Sequence, residues 1–376
     1  MIKFTRLRLL LVALASFAIN PSLASELAPV APPISAAGQL SEKIAAYEAR
    51  FGRSRPLVAV VGENSGTVLS DYVIPYGVLS QSGVADVVSI ATQPGPLKLS
   101  SLQITPDNTV AEFDQRYPNG ADYVFVPAVM KHDDPTLLAW ITKQAGKGAT
   151  MISICNGSMV LANAGLTRGH FATGHWSTYQ QRVDKYPETR WLKNMRYVVD
   201  GKIISSAGIT AAIPTSLALV EAIGGTERAD ALAKNLGVSY RGTQHNSDVF
   251  RLTLSDGLSA FTSSVFHATQ SVGVPIADGV DEIALALTAE AYSATLRSRV
   301  YTIAKSNTPV KTRGGLVLMV DRIVGEGKPL DWILPEWDAT PSAQTLDKAL
   351  NDIAVKYGTS SARFVVLEAE YSWPGL

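Results

Sequence analysis

Apolar residues run through this chain in short blocks set apart by glycine- and proline-marked turns, and the blocks alternate between strand-like and helical spacing. Leu57 to Val61 is continuously apolar, as expected of a strand covered on both faces. Gly62 to Gly66 turns the chain, and Asp71 opens a helical segment with Pro75 near its start, where a first-turn proline is tolerated. Asp86 to Ala91 predicts a second strand and Ala121 to Val126 a third. Asp134 and Pro135 cap a helix whose Leu137, Leu138, Ile141 and Ala145 share one face. Thr150 to Ile154 is a further β-branched run, and Met159 to Ala164 favours helix until Gly165, so Cys155 falls where a strand becomes a helix. Arg196 to Val199 and Lys202 to Ser205 flank Asp200-Gly201, a type I′ hairpin signal, and Gly208 to Gly224 closes with a helix. Strands alternating with helices predict an α/β fold with a doubly wound parallel sheet.

Outside this block, residues 25–54 read as a linker, rich in proline, alanine and serine over Pro29 to Ala37, followed by a short helix over Leu40 to Arg50. Residues 226–272 form a connector with one or two helices, and no periodicity reveals its fold. From residue 273 the chain repeats itself. Asp86-Val-Val-Ser-Ile-Ala-Thr with Pro96-Leu97-Lys98 is matched by Arg299-Val-Tyr-Thr-Ile-Ala-Lys with Pro309-Val310-Lys311, at a constant offset of 213 residues. Ala121 to Pro127 finds its partner in Pro329 to Pro335, and the helix at Pro135 in one at Pro341. Residues 273–376 are therefore expected to form a degenerate second copy of the unit at 55–225. Phe364 to Leu367 would be its elbow-leading strand, yet no Cys-Asn-Gly follows, and Ala284 stands where Asp71 would be. A packing role is expected of this copy, without a site of its own.

Lys3, Arg6 and Arg8 precede the apolar segment Leu9 to Ile19 and the small residues Ser22-Leu23-Ala24, so residues 1–24 read as a cleavable signal peptide and the protein as periplasmic or secreted. The run is short for a membrane span, and no stable membrane anchor is expected. Loss of those residues would leave the balanced 33 basic and 33 acidic side chains tipped towards acid, which speaks against a nucleic-acid partner. Cys155 is the only cysteine, so an internal disulfide is impossible and the thiol is either buried and inert or kept for reactivity.

A thiol at such a turn lies outside the carboxyl end of the sheet and at a helix N-terminus, which favours the thiolate. Asp71 is the candidate acid facing it, against the alternative of a helix cap; as a neutral carboxyl donating to sulfur it would lower the thiol's pKa. His175, 20 residues past the cysteine, could orient the thiolate or protonate a leaving group, with a structural histidine stacked on Trp176 as the rival. His132, on the same edge of the sheet, is a spare candidate, while His170, His245 and His267 read as surface residues. Backbone amides of Asn156 and Ala128 are the candidate donors to a developing oxyanion. No cluster has metal-ligand spacing and no loop has phosphate-binding form, so no cofactor is expected.

The stretch Ser-Ile-Cys155-Asn-Gly-Ser-Met-Val-Leu-Ala-Asn-Ala-Gly-Leu-Thr-Arg-Gly-His-Phe-Ala-Thr-Gly-His175-Trp176 resembles the elbow of the PfpI/ThiJ superfamily, the class I glutamine-amidotransferase-like proteins. Its branch resembles the one holding isonitrile hydratases and ligand domains of AraC-type regulators. Asp71-Tyr-Val-Ile-Pro75 and Ser206-Ala207-Gly208-Ile209 extend the likeness over residues 57–225. The resemblance implies a flavodoxin-like sandwich with an acid and a histidine beside the elbow cysteine, and an internal repeat that mimics a family dimer; an oligomer is a further expectation. Asn156 stands where isonitrile hydratases carry threonine, Pro127-Ala128-Val129 replaces Pro-Gly-Gly, and Ala212-Ile213-Pro214 replaces Gly-Ile-Asp. The expectation is a small-molecule site performing hydrolase, hydratase or lyase-type addition to an electrophilic carbon. The alternatives are a binding or sensing module without turnover, and a relative of transcription regulators that lacks the DNA-binding domain.

Overall fold

A computed structural model describes residues 40–239, 241–253 and 268–375. The predicted signal peptide, the linker up to residue 39 and His267 lie outside the described residues.

The first unit runs β1 (Leu57–Gly62), α1 (Leu69–Ser82), β2 (Asp86–Ala91), a hairpin of β3 (Leu97–Leu99) and β4 (Leu102–Thr105), β5 (Asn108–Thr109), α2 (Val110–Arg116), β6 (Tyr123–Val126), α3 (Pro135–Gly146), β7 (Thr150–Ser153) and α4 (Gly157–Asn163). It continues through β8 (Phe171–Ala172), α5 (Tyr179–Lys185), β9 (Arg190–Trp191), β10 (Tyr197–Asp200), β11 (Ile203–Ser206), α6 (Ala212–Gly224) and α7 (Thr226–Leu236). Seven strands pair in the order β10-β11-β7-β6-β1-β2-β5, parallel except for β10. Both faces of this sheet are covered. On β1, Val58 and Val60 enter one core while Leu57, Ala59 and Val61 enter the other, which explains the unbroken apolar run. The order places β7 inside the sheet, between β11 and β6, and the turn after it at the carboxyl edge, as in a flavodoxin-like sandwich.

The second unit comprises β12 (Gln270–Pro275), α8 (Glu282–Ala294), β13 (Ser298–Ala304), β14 (Val310–Lys311), β15 (Val317–Leu318), β16 (Arg322–Ile323), β17 (Trp332–Ile333), α9 (Thr345–Tyr357) and α10 (Thr359–Ala369). Its sheet order, β16-β13-β12-β17, matches β5-β2-β1-β6. The two units meet as subunits about a twofold axis would. Helices α1 and α8 cross so that Ser70 N–H donates to Glu290 at 2.6 Å, while a Cβ on Gly77 would lie 2.8 Å from Ile283. The offset of 213 carries Ser70 to Ile283 and Gly77 to Glu290, so the repeat exchanges these two contacts. Likewise the hairpin β3–β4 joins its counterpart through Ile104 opposite Leu318, in one four-stranded sheet ordered β14-β15-β4-β3.

Four local expectations are corrected. Leu40 to Arg50 is not helical: Ile44 is buried, the Tyr47 N–H donates to Ala222 O at 2.9 Å, and Arg50 binds the carbonyls of Lys147 and Gly148, so the helix-like spacing belongs to an irregular strap docked on the first unit. Helix α1 begins two residues before Asp71, which puts Pro75 inside it and leaves the Asp71 carbonyl without its usual helical donor. The hairpin pairs Asp200 with Ile203, so Gly201-Lys202 forms its loop, with Gly201 at φ 61. Phe364 to Leu367 lies in α10; buried Ala362, Val365, Val366 and Ala369 follow helical spacing, and β17, only two residues long, offers little edge to extend. Among the described residues no helix is long and apolar enough to cross a membrane.

Candidate functional site at the elbow cysteine

Cys155 occupies the turn between β7 and α4 with φ 55, a left-handed conformation that costs an L-residue about 1–2 kcal/mol. Neighbouring strands enforce it. Ile154 N–H donates to Val126 O at 3.1 Å, Cys155 N–H to Ala207 O at 3.0 Å, and Ser158 Oγ–H returns to Cys155 O at 3.0 Å. Gly157 lets the turn pass against β6, since a Cβ there would stand 2.0 Å from Val126 O. The sulfur is left with 7% exposure for the residue, and the Asn156 N–H is directed at it.

Asp71 projects from the first turn of α1 and is fully buried. Its Oδ2 accepts the Ala128 N–H at 3.1 Å, while Oδ1 has no partner. The segment that supplies Ala128 is itself held by the Val68 N–H donating to Ala128 O at 2.9 Å. Ala128 thus spends its amide on the carboxyl, and the expected pair of oxyanion donors reduces to Asn156.

Burial pushes the Asp71 carboxyl well above the usual carboxylate range; the Ala128 N–H opposes this and the charge of Glu290 adds to it. The Cys155 thiol is pushed well up as well. Burial is the main cause and the Asp71 charge the next; the Asn156 N–H pulls the other way, and Glu370 and Glu368 raise it further. The expectation of a depressed thiol pKa is therefore corrected: a dry site walled by acids outweighs the amides at the start of a seven-residue helix. No hydrogen bond joins Asp71 to the sulfur. Their influence on one another is through charge, and each is driven towards its neutral form.

His175 is buried beside the elbow, but both ring nitrogens are engaged. Nε2 lies 3.2 Å from the Glu368 carbonyl, which can only accept, so it carries the proton; Nδ1, 2.7 Å from Ser177 Oγ, then accepts. The ring lies 5.7 Å from that of Trp176, whose Nε1–H donates to Leu367 O at 2.8 Å. Both residues clamp the end of α10 onto the first unit. His132 stands apart in the loop after β6, its carbonyl bound by Asn163 and its pKa lowered first by burial and then by Lys185.

Several residues of the site carry no signal in the sequence. Glu370, with φ 53 and 1% exposure, accepts the Gly208 N–H at 2.7 Å and pairs with His245 at 2.9 Å, so His245 is not a surface residue as expected. Thr178 Oγ1 donates to the Asn156 side chain at 2.6 Å and accepts from buried Arg182, which also binds His175 O at 2.8 Å. Among the described residues no group of acids, histidines and cysteine is arranged to hold a metal.

Fold and site together define an α/β sandwich with a strained cysteine at the strand-to-helix elbow. Residues 58–222 match the model of the DJ-1/PfpI family, and this part of the chain is a domain of that family. The chain is similar to the HTH-type transcriptional regulator CdhR of Pseudomonas aeruginosa, 38% identical over 86 residues, 23% of this chain and 25% of the regulator. It is also similar to the isonitrile hydratase of Pseudomonas putida, 33% identical over 105 residues, 28% of this chain and 44% of the hydratase. The matched stretches thus span a quarter of one relative and less than half of the other. The crystal structure of Drosophila melanogaster DJ-1beta aligns with a TM-score of 0.45 and 24% identity, over 50% of this chain and 100% of that one.

Proposed function

We propose that this is an exported protein whose Cys155 adds to the electrophilic carbon of a small molecule, in a hydrolase, hydratase or lyase-type reaction. The strained elbow carries the reading: Cys155 at φ 55 holds its sulfur against the Asn156 N–H, with the buried, unpartnered Oδ1 of Asp71 within charge reach of it. A carboxyl whose pKa is raised suits a general base working near neutral pH on a thiol that starts protonated. In the form of the site with Asp71 ionised and Cys155 protonated, the thiol proton passes to Asp71 as the sulfur–carbon bond forms, and the electron pair of the carbonyl or carbon–nitrogen multiple bond moves to its heteroatom. Asp71 then returns the proton to that heteroatom, or for an isonitrile to the terminal carbon that keeps the electron pair, which limits the charge a single remaining amide must hold. The partial likeness to a protein named isonitrile hydratase supports a carbon–nitrogen electrophile as one class.

Turnover of a panel of small aldehydes, esters and isonitriles tests this. Cys155→Ser abolishes product formation, and Asp71→Ala lowers the rate on the order of a hundredfold. Activity that survives Cys155→Ser sinks the proposal. The engagement of the Ala128 amide by Asp71 favours a second reading, a binding module without turnover. Saturable binding of panel members with no product from any of them selects it. Export rests on the basic start and apolar run; N-terminal sequencing of periplasmic protein is expected to read near Ser25, and an intact Met1 in a cytosolic fraction overturns it.

A further inference from the structure

Arg182 is a buried cation without an ion-pair partner among the described residues. It is 1% exposed, and its guanidinium lies 5.1 Å from the centre of the Trp191 ring. Nη1 donates to His175 O and Thr178 Oγ1, whereas the Nε–H has no partner. Of the groups whose charge reaches Arg182, Cys155 comes first and is held neutral by burial, and Glu370 is already held by His245 and the Gly208 N–H. Burial pulls the guanidinium down to about 10, which leaves it protonated at neutral pH. A charge taken out of water is costly unless a counter-charge meets it, and folded proteins keep such groups where they are paired.

A cavity of about 200 Å³ opens beside this side chain. Arg182 lines it together with Trp176, Tyr179, Leu192, Lys193 and Phe250, with Thr173 and Ser247 adding hydroxyls, so positive groups meet walls that are part aromatic and part polar. Lys193 Nζ sits 4.4 Å above the Tyr179 ring and supplies a second positive charge. The one acid in the lining, Asp248, has a carboxylate oxygen held by Asn194 Nδ2 at 2.7 Å. Neither Cys155 nor Asp71 lines the cavity, although Arg182 itself lies within charge reach of the Cys155 sulfur.

We propose that this cavity binds a small carboxylate with an apolar body, and that Arg182 is its anion receptor. A planar guanidinium matches a carboxylate, and the aromatic walls take up the rest of the ligand. The volume is below the usual range for drug-sized ligands and selects a compact molecule over a peptide or nucleotide. An occupant is felt at the elbow through Arg182, Thr178 and the Asn156 side chain, which are joined by consecutive hydrogen bonds. The site stands whether or not Cys155 turns over a substrate.

Titration of the full chain with benzoate, followed by calorimetry and tryptophan fluorescence, tests the proposal, with benzamide and benzylamine as isosteric controls. Benzoate binds saturably and both controls bind at least on the order of tenfold more weakly, as expected when a charged partner is removed. Arg182→Gln, checked for native near-ultraviolet circular dichroism, loses benzoate binding by a similar factor or more. Lys193→Ala, at an exposed position, weakens binding several-fold and flattens its salt dependence. Cys155→Ala binds benzoate as wild type does. Absence of saturable benzoate binding, equal binding of benzamide, or undiminished affinity in folded Arg182→Gln overturns the proposal. Should Arg182→Gln fail to fold, unchanged affinity and salt dependence in Lys193→Ala overturns it instead. Loss of binding in Cys155→Ala overturns the separation from the thiol.

Discussion

Glu370 reaches back across 162 residues to accept the Gly208 N–H at 2.7 Å, so the end of the second unit is fastened to the loop beside the elbow of the first. The same carboxylate holds His245, and neither bond can be replaced by water at 1% exposure. Glu370→Ala leaves buried donors unpaired and is expected to cost about 1–3 kcal/mol. A shift of the urea midpoint at unchanged slope measures it; a shift within error shows the fastening to be idle.

Stability is expected to depend on pH through Asp71. Its folded pKa is raised, so the folded chain keeps a proton that the unfolded chain releases; the associated stability is complete below the ordinary aspartate range and is lost as pH rises through the folded pKa. The amide introduced by Asp71→Asn cannot ionise. Denaturation of both proteins across pH should show the Asp71→Asn variant gaining on wild type as pH rises, and a constant gap would contradict the shift.

The thiol gives an independent readout of the same charge. Because Asp71 helps hold the Cys155 pKa up, Asp71→Asn is expected to speed iodoacetamide labelling at any given pH near neutrality. Mass spectrometry of timed aliquots follows this. Labelling unchanged in Asp71→Asn and slowed in Asp71→Ala would mean that residue 71 donates to sulfur, the arrangement first expected from the sequence.

Gly157→Ala is expected to disrupt the elbow, since its Cβ would meet a backbone oxygen at 2.0 Å, where no side-chain rotation gives relief. Gly77→Ala is expected to be milder, at about 1–3 kcal/mol, because its Cβ meets side-chain atoms of Ile283 and Glu282, which can shift by more than a backbone oxygen can. Thermal unfolding ranks the two. The reverse order would show that the crossing of α1 and α8 is the less yielding contact.

Much of the sheet was legible because β1, β2, β6 and β7 are separate apolar blocks, and Cys155 was legible because it stands between a strand block and a helix block. The walls of its site were not. Arg182 looks like a solvent-facing residue of a short polar helix, and its burial comes from the cover of Trp191 and the elbow. Glu370 follows a run that reads equally well as strand or helix, and only the absence of a long edge beside β17 decides for helix. The Leu40 to Arg50 strap shows the same ambiguity: anchors at helical spacing served docking sites on the folded unit.

The antiparallel sheet in which Ile104 faces Leu318 has one more consequence. Two subunits joined by such hairpins would separate on dilution, taking with them whatever each contributes to the other's site. Here both hairpins belong to one chain, so the pairing has no dissociation constant, and the effective concentration of one for the other is set by the tether. The surroundings of Cys155 are therefore insulated from protein concentration, and labelling rates measured at nanomolar and at micromolar protein should superimpose.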